Sequence, residues 1–110
     1  MPSDKTTASP PSMLVLLDLL GRRWALRILW ELRLEPATFQ ALQSRCDSMS
    51  TSVLSQRLGE LKDAALVEKD ATNGYRLTQA GTQLLARLDG MEEWTREWGR
   101  RLEGRTGEPR

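Results

Sequence analysis

The segment that most restricts this chain is Met49 to Gly81, MSTSVLSQRLGELKDAALVEKDATNGYRLTQAG, because a helix signal, a hairpin signal and a second helix signal follow one another in it. Ser50 can accept from the unpaired N–H groups of a first helical turn and so marks an N-cap, with Thr51 and Ser52 suited to the positions after it. Leu54, Leu58, Leu61 and Ala65 recur at helical spacing, which gathers them into one stripe that needs a core to face. Ser52, Gln56, Gly59 and Asp63 fall on the opposite side, with Ser55 on one flank and Arg57 and Glu60 on the other. The outer face is therefore short, polar and rich in hydrogen-bonding groups. Leu66-Val67 and Tyr75-Arg76-Leu77 read as short strands about Asn73-Gly74, a dipeptide with easy access to positive φ that signals a tight hairpin turn. Thr78 then caps another helix.

A chain of 110 residues that is 39% hydrophobic can bury one core, so one domain is expected. MPSDKTTASPP and EGRTGEPR cannot offset their ordering entropy by apolar burial, which predicts a disordered arm over 1–12, a folded domain over 13–102 and a flexible tail over 103–110. A single cysteine excludes an internal disulfide, and no apolar run approaches membrane-spanning length or a secretory signal. The expected location is cytoplasmic, with no membrane partner.

Upstream, Met13 to Leu20 reads as a helix apolar nearly all round, closed by Gly21. Arg23 to Leu32 reads as a second helix, with Leu26, Leu29 and Trp30 at core spacing and Arg23, Arg27 and Glu31 on another face. Thr38 caps a short third helix, Phe39 to Arg45. Helices two, three and four form a trihelical unit with a short turn, so the fold class is mainly α with a small β-hairpin, a winged helix-turn-helix. Gln79 to Leu102 should be helical with a break near Asp89-Gly90. Its stripe of Leu84, Leu88, Met91, Trp98 and Leu102, with Leu85 and Trp94 beside it, exceeds what so small a domain needs for its own core. That surplus, with Leu14 and Leu17 of the first helix, predicts a homodimer through the N- and C-terminal helices; the plainer reading is that the last helix folds back on its own domain.

LLDLLGRRWALRILWELRLEPATFQAL, MSTSVLSQRLGELKDAALVEK and YRLTQAGTQLL together resemble the HxlR-type transcription regulators of bacteria, relatives of the MarR group, over about Leu14 to Leu102. The resemblance implies a dimeric winged-helix repressor or activator that binds double-stranded DNA and associates with the nucleoid. It places Ser50, Thr51, Ser52, Ser55, Gln56 and Arg57 at the duplex, with Thr38, Gln40, Arg22 and Arg23 on phosphate. The side chains suit those roles, since Gln can pair bidentately with adenine, Ser and Thr can bond to bases or phosphates, and Arg can clamp guanine or phosphate. The family often carries a reactive cysteine before its first helix, where this chain has Ser9-Pro10-Pro11-Ser12, so that sensing chemistry does not transfer. The wing here is shorter and less basic than the family's, and Gly59 stands where a longer side chain is expected.

Other readings stay open beside these. Arg57 lies near the apolar stripe and could be structural. Sixteen basic against fifteen acidic residues leave a formal charge of +1, which favours a rival reading, a winged-helix module whose polar face meets another protein. Arg22, Arg23, Arg27, Arg45, Arg57 and Lys62 would form any basic patch. Cys46 beside Arg45 is a candidate redox thiol, though most lone cysteines are inert. The four tryptophans suit a core and a subunit interface better than a pocket for an unidentified small-molecule effector. The chain has no histidine, and no nucleophile with a base, metal-ligand cluster or phosphate-cradling glycine loop is evident, so catalysis, metals and cofactors are not expected.

Overall fold

A computed structural model describes residues 12–107. Six helices and one hairpin appear among them: α1 Met13–Leu20, α2 Ala25–Glu31, α3 Phe39–Arg45, α4 Thr51–Asp63, β1 Val67–Lys69, β2 Tyr75–Leu77, α5 Gln79–Ala86 and α6 Met91–Gly107. Local capping sets most of the helix starts. Ser12, Thr38, Ser50 and Thr78 each accept with the side-chain oxygen from the backbone N–H three residues on, satisfying a donor that the first turn leaves unpaired.

The core sits where α2, α3 and α4 meet and is closed by Leu66, Val67 and Leu85. Leu54, Leu58 and Leu61 of α4 pack there against Ile28, Leu29 and Leu42, all essentially without exposure. Each such side chain contributes about 1.5–3 kcal/mol by leaving water, so α4 is held rigidly along its whole length. Ala65, expected as the last member of the stripe, is instead exposed and lies just past the helix with φ 61°. Its N–H bonds to the Lys62 carbonyl and that of Leu66 to the Leu61 carbonyl, the paired bonds of a Schellman stop, which turns the chain into β1.

The second helix starts later than expected. Trp24 is its N-cap at φ 77°, a left-handed conformation that costs a non-glycine residue about 1–2 kcal/mol, and it supplies no side-chain cap. Its ring packs against the core, and that turn rotates the helix so that Ala25, Ile28, Leu29 and Leu32 face inward. Leu26, expected in the core, is 38% exposed for that reason.

The strands pair antiparallel with Val67 opposite Leu77 and Lys69 opposite Tyr75. Ala37, in the α2–α3 link, exchanges backbone bonds with Tyr75 of 2.9 and 2.7 Å and ties the hairpin to the helical unit. The wing is not the expected two-residue Asn-Gly turn. Only Asn73 takes positive φ, at 68°, and the loop from Asp70 to Gly74 is held by the Asp70 carboxylate. Its Oδ1 accepts from the Gly74 and Thr72 N–H groups and the Thr72 hydroxyl at 2.8, 3.0 and 2.9 Å, bonds that hold this carboxyl below its ordinary pKa.

Gly90, at φ 91°, makes the expected break between α5 and α6. α6 runs on to Gly107, past the Leu102 boundary, and Glu103 and Arg105 on it are exposed, which suits a solvated helix. The radius of gyration is 17.2 Å, against about 13 Å for a compact domain of this length, because α6 extends away from the body.

Candidate nucleic-acid interface

Ser52, Ser55 and Gln56 project from α4 into solvent. The Ser50 hydroxyl accepts from Val53 N at 3.2 Å, and Gln43 of α3 bridges the start of the helix, donating to the Met49 carbonyl at 2.8 Å and to Thr51 Oγ1 at 3.1 Å. The first turn of α4 is thus fixed from two sides. At the start of α3, Thr38 and Gln40 are exposed as well, and the Thr38 hydroxyl accepts from Ala41 N at 3.1 Å.

The arginines divide by what they hold. Arg57 Nε donates to the Arg23 carbonyl at 2.7 Å, and Arg57 Nη1 pairs with Glu60 at 3.3 Å, leaving its side chain only 17% exposed. This is the snorkelling, structural alternative: Arg57 pins the α1–α2 turn to the side of α4. Arg22 is also engaged, with Glu60 at 3.2 Å and Asp18 at 3.7 Å. Arg23 is exposed and forms no ion pair among the described residues, and its guanidinium lies 5.8 Å from the Trp24 ring centre. Arg27 and Arg45 belong to another cluster that joins α2 to α3. Arg27 pairs with Glu31 at 2.8 Å and donates to the Arg45 carbonyl at 2.7 Å, while Arg45 donates to the Glu31 carbonyl at 3.2 Å. The expected basic patch is therefore reduced to Arg23 and Lys62, with Arg22 partly neutralised.

Glu60 was the residue that sequence reasoning passed over. It accepts from Gln56 Nε2 at 3.3 Å and from Arg57, and it forms an ion pair with Arg22. The Gln56 to Glu60 spacing is a helical i, i+4 signal that could have suggested the first contact; the Arg22 contact depends on tertiary packing.

Cys46 is fully buried at the end of α3, and burial pushes its thiol above the ordinary range, with Arg27 pulling weakly the other way. A protonated, inaccessible thiol is a poor nucleophile, so the burial of Cys46 supports the inert packing reading over the redox candidate. Among the described residues no group of acidic, cysteine or histidine side chains is arranged to hold a metal, and no helix is long and apolar enough to cross a membrane.

The remaining surface feature is apolar. Leu14 and Leu17 are 76% and 51% exposed, and Met91, Trp94, Trp98 and Leu102 form one exposed stripe along α6. Trp94 and Trp98 stack with ring centres 5.3 Å apart, and Leu88 is half-buried at the foot of the stripe. Trp30 lines an apolar groove of about 470 Å³ between α2 and α6, and Trp24 lines one of about 380 Å³ beside the start of α4.

A capped helix seated on a trihelical core, with its polar face outward and a hairpin tied back beside it, defines a winged helix-turn-helix protein. Residues 19–103 match the family model described as HxlR-like helix-turn-helix, and the chain belongs to that family. It is similar to the HTH-type transcriptional regulator YodB of Bacillus subtilis, at 31% identity over 90 residues that span 76% of this chain and 80% of the relative. An uncharacterized HTH-type transcriptional regulator of Methanocaldococcus jannaschii is 29% identical over 83 residues, 72% of this chain and 77% of that one. The crystal structure of quinone-bound YodB superposes with a TM-score of 0.70 at 31% identity, covering 81% of this chain and 99% of that one. A possible HxlR family transcriptional factor from Thermoplasma volcanium superposes at 0.67 with 26% identity, over 77% and 82% of the two chains. The chain is a transcriptional regulator of the HxlR type, with the DNA binding that this implies, and its relatives are regulators rather than enzymes.

Proposed function

We propose that the chain acts as a homodimer in the cytoplasm, laying α4 of each protomer into successive major grooves of a pseudo-palindromic operator. The observation that carries this is the set of Ser52, Ser55 and Gln56, exposed on a helix whose opposite face is locked into the core. In this reading those residues meet base edges, while Ser50, Thr51, Thr38, Gln40 and Arg23 meet phosphates. Arg57 and Arg22 act mainly by fixing the geometry, because their charges are already paired. The wing is a structural tie rather than a groove reader, since Arg76 pairs with Glu68 at 2.8 Å and the loop is organised around an acidic residue.

Support for the dimer comes from the exposed stripes of α1 and α6 and the extended protomer. YodB has been crystallised quinone-bound and diamide-treated. A thiol-based response through Cys46 is not part of this proposal, because that thiol is buried.

The neutralised arginines favour one second reading, a winged helix whose polar face binds a protein. Gel shifts across a salt series distinguish the two, with duplexes selected from a random library as probes. Gln56→Ala is expected to lower discrimination at one base position per half-site by about tenfold, the weight of one bidentate pair, while binding to random duplex stays nearly constant. Unchanged discrimination would remove Gln56 from the base-reading set, and no retention of any duplex at low salt would favour the protein partner.

A further inference from the structure

We propose that Glu60 is a specificity-determining positioning residue, which orients the Gln56 amide for base reading and withholds Arg22 and Arg57 from phosphate. The inference rests on the reading of α4 as the DNA-facing helix. Glu60 stands one turn beyond Gln56, its side chain 21% exposed, and it engages three side chains at once, accepting from Gln56 Nε2 and Arg57 Nη1, each at 3.3 Å, and forming an ion pair with Arg22 Nη1 at 3.2 Å. Arg57 in turn donates to the Arg23 carbonyl at 2.7 Å, so one carboxylate ties the face of α4 to the α1–α2 turn.

Two consequences follow from this chemistry. A free glutamine amide can rotate by half a turn and exchange its donor for its acceptor. With one N–H committed to Glu60, the other N–H and the carbonyl oxygen face outward in a fixed order, the pair that adenine requires. Ordering the side chain before contact also lowers the entropy lost on binding. The second consequence is electrostatic. Sequence-independent affinity for a duplex grows with the number of phosphates that cations neutralise. A carboxylate shared by two arginines beside the reading face reduces that number and repels the backbone, so affinity comes to depend on base contacts. A nearly neutral chain can then discriminate strongly while binding random DNA weakly.

Glu60→Gln tests this with nearly the same shape and no charge. Wild type and variant are compared on a library-selected duplex and on a random duplex over a salt series, with helical content and melting temperature recorded. Random-duplex affinity at low salt is expected to rise about tenfold, and the slope of log K against log salt to steepen by about one to two units. The selected-to-random ratio should fall by a similar factor of about ten. Adding Arg22→Gln to Glu60→Gln should return part of the slope. Arg22→Gln alone provides a test that does not depend on how Glu60→Gln folds: because Arg22 is already neutralised, it should change random-duplex affinity by less than about twofold. A wild type that discriminates, with Glu60→Gln discriminating equally at the same slope, overturns the proposal alone. So does a tenfold loss from Arg22→Gln, which would mean that Arg22 already holds a phosphate. A wild type that retains no duplex overturns the function as well.

Discussion

Replacing Trp94 and Trp98 together by aspartate is expected to convert a dimer into a folded monomer and to weaken operator binding by about 100-fold or more. The two residues are 54% and 49% exposed in the protomer and their rings stack on each other, so they present one continuous apolar patch. A buried tryptophan removes about 150–250 Å² from water. Covering the exposed half of one ring system therefore contributes about 2–3 kcal/mol, and a two-fold interface contains each ring twice. Aspartate removes that area and sets like charges near their own copies. Since α6 extends from the body and supplies no residue to the buried core, the winged-helix unit should keep its helical spectrum. Two half-sites would then be bound independently, and the gain from linking them is lost. Sedimentation equilibrium reads the mass directly; a variant that remains dimeric would show that other surfaces carry the association.

The second large effect concerns Gly81. A Cβ built there would lie 2.3 Å from the Leu66 carbonyl oxygen and 3.2 Å from its carbon, and these are backbone atoms that cannot swing aside. The same carbonyl accepts from Thr78 N at 3.0 Å, while the Thr78 hydroxyl donates to the Ala65 carbonyl at 2.6 Å and accepts from Gly81 N at 3.0 Å. Gly81→Ala must therefore lift the first turn of α5 off the start of β1, loosening the Thr78 cap and the seating of Leu85. The expected cost is about 1–3 kcal/mol, or a melting temperature lower by about 5–20 °C. Gly59 gives the contrast: a Cβ there meets nothing within 4 Å, so Gly59→Ala should stabilise α4 by about 1 kcal/mol. Thermal unfolding of both variants checks the pair, and a Gly81→Ala protein that melts like wild type would show that the contact relaxes freely.

Much of this fold was legible because its signals are local. Ser50, Thr38 and Thr78 cap the helices that follow them, and the Leu54, Leu58 and Leu61 stripe names its own inner face. The phase of α2 was not legible in the same way. Leu26, Leu29 and Trp30 compete with Ala25, Ile28 and Leu29 for a similar arc, and the choice goes with the left-handed Trp24, in a turn whose Arg23 carbonyl accepts from Arg57 far along the chain. Ala65 continued the stripe by spacing, yet the Schellman bonds end the helix before it. The Asn73-Gly74 signal located the wing but not its form, because Asp70 organises a longer loop with its own side chain.

The candidate site divides along the same line. The exposed Ser52, Ser55 and Gln56 follow from helical geometry alone. Which arginines are free does not, since Arg22 and Arg45 find Glu60 and Glu35 through tertiary packing, and Arg27 and Arg57 add distant backbone carbonyls to their local ion pairs. A count of basic residues overstated the patch for that reason, and Glu60, placed beside Arg57 by helical spacing, gave no sign of its contact with Arg22.

The most direct test of the DNA-reading claim is selection of binding sites from a random duplex library by the purified full chain at low salt. The expected result is a pseudo-palindromic consensus with half-site centres about one helical turn apart, or a multiple of it, and a sharply reduced preference at one position per half-site with Gln56→Ala. Retention of no duplex, or enrichment of sequences that share no symmetric pattern and do not respond to Gln56→Ala, would contradict it.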